Sequence, residues 1–284
     1  MKPFLPILLS SLYLLTPTQV KADFNDGLIA ADKGDFATAL KEWTPLAESG
    51  DSDAQFNLGV IYDNGHGVIE DNKLAVSWYR KAAEQGDAYA QYNLGLMYDE
   101  GEGVLEDNKM AVAWYRKAAD QGDSDAQYNL GLMYDNGEGV IEDDKMAVAW
   151  YRKAAEQGDA GAQYNLGLMY DNGEGVLKDD KMAVAWYRKA ADQGDADAQY
   201  NLGVMYDNGE GVLEDDKKAI AWYKKAAEQG DAYAQYNLGV SYFNGEGALK
   251  DMPQARYWIK KAFENSEPST SQKALKFWNE NLAE

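Results

Sequence analysis

Cysteine is absent from the 284-residue chain, and histidine occurs once, as His66. The absence of cysteine excludes disulfides, thiolate metal ligands, cysteine nucleophiles and cysteine redox chemistry, so packing alone must stabilise the fold. A single histidine cannot form a histidine-rich metal site. We therefore interpret His66 as an ordinary substitution in a loop.

Motifs for catalysis and nucleotide binding are also missing. The acylating motif Ser-x-x-Lys does not occur, and the nearest string, residues 270–273, begins with threonine. No phosphate loop or dinucleotide fingerprint is present, and acidic loops such as residues 135–139 lack the ligand order of a calcium loop. Carboxylates are abundant but recur identically, whereas a catalytic pair needs two different environments. The sequence thus predicts no enzyme activity, no metal site and no cofactor.

The one long apolar run lies at the N-terminus. Lys2 precedes an apolar stretch over residues 4–15 and a polar exit over 16–18, and Val20 and Ala22 occupy the −3 and −1 positions. This pattern predicts a secretory signal peptide, residues 1–22, cleaved after Ala22. The run is shorter than the ~20 residues of a spanning helix, which disfavours the alternative of an uncleaved anchor. We expect an exported protein, periplasmic or secreted, that does not insert in the membrane after cleavage.

Basic residues are few. After cleavage, 25 lysines and arginines would face 48 aspartates and glutamates, a formal charge of −23. This charge repels nucleic acid phosphates and anionic lipid surfaces. We therefore expect no nucleic acid partner, a preference for basic partners, and a soluble monomer.

Tryptophan recurs at a fixed interval of 36 residues, at Trp78, Trp114, Trp150, Trp186, Trp222 and Trp258. The rest of the sequence follows the same period in six units, residues 51–86, 87–122, 123–158, 159–194, 195–230 and 231–266. A period of this size is typical of stacked supersecondary units and not of one globular core.

Each unit is predicted to fold as two helices, A and B. In the first unit, Asp51 and Asp71 are expected to cap helices A and B, and Gly65 and Gly86 to end them in the left-handed conformation. Apolar residues follow helical spacing, at Ala54, Leu58, Ile61 and Tyr62 in helix A and at Ala75, Trp78, Tyr79, Ala82 and Ala83 in helix B. The result is an antiparallel hairpin in which small residues interlock with large ones.

The two ends differ from the units. Residues 23–50 are predicted to form a shortened capping unit whose second helix is kinked or weakened at Pro45. Residues 267–284 are predicted to form a closing helix that covers the last hairpin with an apolar face of Leu275, Trp278 and Leu282.

The repeat resembles the Sel-one-like repeat family, a branch of the tetratricopeptide-like α/α solenoids. The motif is A-x-x-x-L-G-x-x-Y-x-x-G-x-G-V-x-x-D-x-x-x-A-x-x-W-Y-x-K-A-A-x-x-G, and in the first unit its letters are Ala54, Leu58, Gly59, Tyr62, Gly65, Gly67, Val68, Asp71, Ala75, Trp78, Tyr79, Lys81, Ala82, Ala83 and Gly86. The match covers all six units. The sixth unit departs from it at Ala248, Ile259, Phe263 and Ser266.

The resemblance implies an all-α, right-handed superhelical solenoid of stacked hairpins, whose concave face is lined by helix A and holds proteins or peptides. Some secreted, cysteine-rich members of the family are associated with penicillin binding and weak β-lactam hydrolysis. This chain lacks the paired cysteines of that subgroup.

If Leu58 and Tyr62 face helix B, the opposite stripe of helix A carries positions 53, 56, 57, 60, 63 and 64. Position 56 is aromatic in every unit, as Phe56, Tyr92, Tyr128, Tyr164, Tyr200 and Tyr236. Position 57 is always asparagine, as Asn57, Asn93, Asn129, Asn165, Asn201 and Asn237. Position 53 varies, as Asp53, Tyr89, Asp125, Gly161, Asp197 and Tyr233.

Tyrosine offers rigid contact area with a polar tip, and an asparagine amide can bond both polar groups of an extended backbone. We hypothesise that the aromatic and asparagine rows, with Tyr89 and Tyr233, bind an extended protein segment that is basic or contains aromatic residues. The alternative is that both rows are structural.

Three functions follow. The favoured one is a protein-binding scaffold of the bacterial cell envelope or of host contacts. The others are a β-lactam-handling hydrolase, by family analogy, and a structural or inhibitory partner of a periplasmic enzyme.

Overall fold

The computed structural model of the protein describes residues 22–264 and 268–283. The predicted signal peptide, apart from Ala22, therefore lies outside the described residues. The end of the sixth unit, residues 265 and 266, lies outside them as well, as does Glu267.

Within these residues the chain forms fifteen α-helices and no strand, which confirms the all-α fold class. Their bounds are α1 Phe24–Asp32, α2 Phe36–Glu48, α3 Ser52–Asp63, α4 Asn72–Glu84, α5 Ala88–Glu100, α6 Asn108–Asp120, α7 Ser124–Asn136, α8 Asp144–Gln157, α9 Ala160–Asn172, α10 Asp180–Asp192, α11 Ala196–Asn208, α12 Asp216–Glu228, α13 Ala232–Asn244, α14 Met252–Glu264 and α15 Pro268–Asn281. The A helices are α3, α5, α7, α9, α11 and α13, and the B helices are α4, α6, α8, α10, α12 and α14.

Each helix packs on its neighbours in the chain, and the core is a series of clusters along the solenoid. One cluster joins Ala75 and Tyr79 of α4 to Leu94 of α5 and to Trp114 of α6. The same arrangement recurs one unit later, with Trp150 closing the next cluster. Each B-helix tryptophan therefore packs against the core of the preceding unit, as expected of a fold whose units stabilise one another.

The predicted caps are present. The Asp51 carboxylate accepts a hydrogen bond from the backbone N–H of Ala54 at 2.8 Å, and the Asp71 carboxylate accepts one from that of Leu74 at 3.0 Å. Each satisfies a backbone donor that the first helical turn leaves free. Gly86 adopts a φ of 101°, which favours glycine. The sequence therefore located the helix ends correctly.

Buried glutamines join neighbouring units by hydrogen bonds. The sequence patterns did not predict their burial. Gln127 is buried in α7, and its side chain donates to the carbonyl oxygen of Ala119 at 3.0 Å. Its amide oxygen accepts from Gln157 at 2.9 Å, and Gln157 also donates to the carbonyl oxygen of Gly122 at 2.9 Å. These bonds satisfy polar groups at the junction, where an unpaired group would be costly.

The opening hairpin consists of α1 and α2. Helix α2 runs without a break through Pro45 to Glu48, so the proline does not end it. Trp43 is buried between the two helices, and its indole N–H donates to the carbonyl oxygen of Phe24 at 3.1 Å.

The closing helix α15 packs on α14 and α13. Ala274 of this helix and Leu282 directly after it are buried, with Phe277 and Trp278 packed against the same cluster. The prediction was wrong for Leu275, which is 45% exposed. A helix advances 100° per residue, so with Ala274 and Phe277 against the hairpin Leu275 turns toward solvent.

Candidate protein-binding face of the A helices

The partly exposed stripe of the A helices is the surface that sequence analysis selected. In α3, Asp53 and Asn64 are exposed and Phe56 and Asn57 are half-buried, whereas Leu58 is buried. We call the residues at positions 53, 56, 57, 60, 63 and 64 of the first unit and their equivalents the A face.

The aromatic row of the A face is half-buried against the core. The ring of Phe56 lies 5.9 Å from that of Tyr79, and the ring of Tyr200 lies 6.0 Å from that of Tyr223, measured between centroids. Tyr92, Tyr128 and Tyr164 pack in the same way on the core tyrosines Tyr115, Tyr151 and Tyr187. Tyr236 instead meets Phe277 of α15 edge to face at 5.9 Å. The row therefore has a fixed position on the A helices.

The variable position 53 decides what covers each ring. Tyr89 lies 6.0 Å from Phe56 of the preceding unit, and Tyr233 lies 5.8 Å from Tyr200. These two tyrosines are themselves well exposed, at 64% and 49%. At Gly161 no side chain is present, although a Cβ there would lie 3.1 Å from the ring of Tyr128. The A face is thus aromatic at both ends, and near its middle no side chain of the next A helix covers the ring of Tyr128.

Acidic residues take this position beside two other rings. Burial, together with the negative charge of Asp125, raises the pKa of Tyr92 to about 12. Burial and Asp197 raise the pKa of Tyr164 to about 12 in the same way. Both phenols therefore remain neutral hydrogen-bond donors at neutral pH.

The asparagine row has structural partners. The Asn57 and Asn93 amides donate to the carbonyl oxygens of Asp53 and Tyr89, at 2.8 Å each. In the next four units the asparagine side chain lies beside the tyrosine hydroxyl of the preceding A helix and partly offsets the rise in the pKa of the phenol, pairing Asn129 with Tyr92, Asn165 with Tyr128, Asn201 with Tyr164 and Asn237 with Tyr200. These pairs lie between successive A helices.

A second set of carboxylates lines the A face near the ends of the helices. The Tyr151 hydroxyl donates to Asp135 at 3.0 Å, and Tyr79 donates to Asp63 at 3.1 Å. Burial raises the pKa of both carboxyls above the usual aspartate range, and nearby acidic residues add to the effect. The same geometry repeats at Asp99, Asp171 and Asp207.

Charge is segregated between the two kinds of helix. In residues 51–71 and the five equivalent segments, which contain the A helices and the following loops, the only lysine or arginine residues are Lys178 and Lys250. The remaining basic residues of the units lie on the B helices. There they cover aromatic rings, as Lys81 does with its ammonium 3.7 Å from the ring centroid of Trp78. The A face is therefore acidic.

His66 stacks on Phe36 with the ring centroids 4.7 Å apart. In the described part of the chain, no group of three or more histidine, aspartate or glutamate side chains could hold a metal ion. Nor does any helix there have both the length and the apolar character needed to cross a bilayer.

The Sel1 repeat family matches the chain over residues 52–87, 88–123, 124–159, 160–195, 196–231 and 232–266. A Sel1 repeat protein from Oxalobacter formigenes of known structure is 37% identical, with a TM-score of 0.73, over 83% of this chain and 94% of that one. A protective antigen of uropathogenic Escherichia coli strains, which displays an SLR fold, is 34% identical, with a TM-score of 0.69, over 91% of this chain and 65% of that longer one. A comparison with curated proteins gave no match.

Sel1 repeat proteins generally serve as scaffolds for interactions between proteins, and the repeat is typically not catalytic. The matched segments cover most of the sequence, and the helix pairs have the predicted packing. The chain belongs to the Sel1 repeat family.

Proposed function

We propose that the protein is an exported scaffold of the bacterial cell envelope that binds a partner protein through the A face. The ligand is an extended segment that carries basic and aromatic side chains. The observation that supports this best is the continuous aromatic row, which is held rigidly and bordered by carboxylates.

The chemistry of the ligand follows from that of the surface. Phenol rings with one face in the core offer rigid contact area at little entropic cost. The carboxylates of Asp125 and Asp197 lie beside Tyr92 and Tyr164, so a lysine or arginine can reach a ring and a carboxylate together. An acidic ligand would meet like charge along the whole face.

The ring of Tyr128 is the best candidate for an anchoring point. In two other units a tyrosine from the next A helix fills the equivalent space, as Tyr89 does beside Phe56. At Gly161 no side chain fills that space and the Tyr128 ring lies against the glycine, so an aromatic or arginine side chain of a ligand can pack on the ring there. Interfaces concentrate their binding energy at such central aromatic contacts.

A variant that fills this space tests the proposal without removing any contact of the fold. Gly161→Tyr places a side chain that the chain itself uses at the equivalent positions 89 and 233, and the ring of Tyr128 has to shift only slightly to admit the new Cβ atom. On an array of extended peptides, we expect the natural protein to retain basic and aromatic sequences. Gly161→Tyr should weaken that binding about tenfold or more.

Tyr128→Ala and Tyr164→Ala serve as loss-of-contact variants, and Glu156→Gln, an exposed change on α8 outside the A face, serves as the control. Retention of acidic peptides in preference to basic ones would contradict the proposal. So would equal binding by the natural protein and Gly161→Tyr.

Export is tested separately. The N-terminal pattern supports a mature protein that begins at Asp23. We expect cell fractionation of a Gram-negative host to place the protein outside the cytoplasm and N-terminal sequencing to start at Asp23. Retention of the uncleaved chain in the membrane fraction would contradict this part of the proposal.

A further inference from the structure

A row of fully exposed aliphatic side chains runs along a different edge of the solenoid. It consists of the second residue after the second loop glycine in each unit, between helices A and B, and its members are Ile69, Leu105, Ile141, Leu177, Leu213 and Leu249. Each is 89–92% exposed. We call these six residues the edge row. Isolated exposed aliphatic residues are common, but six at one structural position form a continuous feature.

The edge row gives nothing to the stability of the fold, because its side chains stay in solvent. The preceding valine does the packing, as Val104 and Val140 show by joining the core clusters of their units. Two later positions of the unit accept different types of residue. The equivalent of position 70 is Lys178 in the fourth unit, and the equivalent of position 74 is Lys218 in the fifth. An aliphatic residue in all six loops is thus not required by packing.

The loops hold the edge row rigidly. Gly103 and Gly139 have φ values of 67° and pack directly on the carbonyl groups of Asn72 and Asn108, which begin the preceding B helices. The backbone N–H of Asp107, at the end of the loop, donates to the carbonyl oxygen of Tyr98 at 2.8 Å. Each loop is therefore stacked on the preceding unit, and its aliphatic side chain projects at a fixed place.

The neighbourhood of the edge row is acidic and slightly recessed. Exposed glutamates flank the row on both sides in three of the six units, as Glu102 and Glu106 flank Leu105, and on one side in the other three. Beside Leu213, a recess of about 360 Å³ lies between its loop and Lys181 of the preceding B helix. Apolar side chains set among carboxylates match a partner that presents apolar residues flanked by lysine or arginine.

The period of the row favours a helical partner. The loops of successive units are in direct contact, since Gly103 packs on the backbone of Asn72 in the preceding unit, so successive members of the edge row lie on the order of 10 Å apart, the spacing of packed helices. Residues seven apart on an α-helix are separated by about 10.5 Å, whereas residues on one face of a strand repeat every 6–7 Å. A helix with a heptad apolar stripe can therefore contact consecutive members of the row.

We propose that the edge row is a second docking surface, distinct from the A face, for a basic amphipathic helix of a partner protein. The acidic surroundings and the overall charge oppose both an anionic membrane and a second copy of this chain. The protein would then hold an extended segment on one surface and a helix on another.

The probe is a labelled synthetic helix with leucine at the a and d positions of successive heptads and lysine beside them. The test variant is Leu105→Ser, Ile141→Ser and Leu177→Ser combined. Because these side chains are exposed, the thermal unfolding of the variant should match that of the natural protein. We expect its affinity for the probe, measured by fluorescence anisotropy, to fall about tenfold or more.

Two matched variants test whether the apolar character of the edge row causes the binding of the probe. Methionine at the same three positions should preserve binding, because it remains apolar. Gly161→Tyr should also preserve it, because that change affects only the A face. Failure of the A-face experiment therefore leaves this proposal standing, and the reverse also holds.

Four results would overturn the proposal. The first is an unchanged affinity of the serine variant for the probe, and the second is equal binding of a probe that has glutamate in place of lysine. The third is flotation of the natural protein with phosphatidylcholine–phosphatidylglycerol vesicles, if the serine variant no longer floats with them. The fourth is a dimer of the natural protein, detected by light scattering, that the serine variant lacks.

Discussion

The ring of Tyr151 packs directly on the backbone of Gly131, and a Cβ atom on Gly131 would lie 2.5 Å from the Cδ1 atom of Tyr151. Alanine normally stabilises a helix relative to glycine by about 1 kcal/mol. Here overpacking of a rigid ring outweighs that gain, because Tyr151 is fully buried. We expect Gly131→Ala to lower the free energy of unfolding by about 1–3 kcal/mol, measured by urea denaturation.

The matched control is Gly161→Ala on the next A helix. Five other units carry a side chain at this position, so the neighbouring Tyr128 ring can adjust. An increase in stability of up to about 1 kcal/mol is expected. If both alanine variants changed stability in the same direction, close helix packing would not explain the glycine at position 131.

The glutamine bridge between units makes a second prediction. Gln127→Leu removes both the donor to Ala119 and the acceptor for Gln157. A buried polar group left without a partner costs about 1–3 kcal/mol, and we expect a loss of that size in urea unfolding.

Because the bond crosses a junction, Gln127→Leu should also broaden the unfolding transition, since coupling between units gives a repeat protein its cooperativity. Gln157→Ala, which alters an exposed residue, is the control and should have a smaller effect. Equal losses in the two variants would argue against a special role for the buried glutamine.

Burial raises the pKa of Asp135, and the direction of this shift determines how the stability of the fold depends on pH. The folded state holds the carboxyl proton more strongly than the unfolded state. The associated stability is complete below the unfolded pKa and is lost as pH rises through the folded pKa. We expect Asp135→Asn, which can still accept a hydrogen bond from Tyr151, to raise the Tm at about pH 7 by the order of 1 °C.

The gain from Asp135→Asn should shrink near pH 3.5 and disappear near pH 2.5, well below the unfolded pKa of about 3.9, where the aspartate is protonated in both states. The control is Glu156→Gln, an exposed change of the same charge on α8. A gain that persisted unchanged at low pH would show that relief of the buried charge is not its cause.

β-Lactam hydrolysis is a direct test of the enzyme alternative. The chain has no Ser-x-x-Lys motif and no cysteine. We expect no turnover of the chromogenic cephalosporin nitrocefin by purified protein above the rate of buffer. Hydrolysis that a single side-chain substitution abolished would contradict the scaffold function.

Much of the fold could be predicted from local chemistry. Asp51 and Asp71 cap the helices as expected because a cap needs only the residue and the next turn. Leu275 was misjudged, because which side of α15 is buried depends on how the helix lies against α13 and α14.

The candidate site, like the fold, could be predicted from the sequence only in part. Periodicity alone located the aromatic and asparagine rows, but it could not say that Asn129 lies beside the hydroxyl of Tyr92 on the preceding A helix. Nor could it say that no side chain of the next A helix covers the ring of Tyr128, because both facts concern residues brought together by stacking.

The sequence by itself determined the helices, their caps and their repetition, since these depend on residues within one or two turns of each other. Only the tertiary structure decided the placement of side chains whose burial depends on the neighbouring unit. It placed Gln127 in the core and the Ile141 side chain in solvent. The physical reason is that burial results from the contact of one unit with the next, and single-unit patterns do not contain that contact.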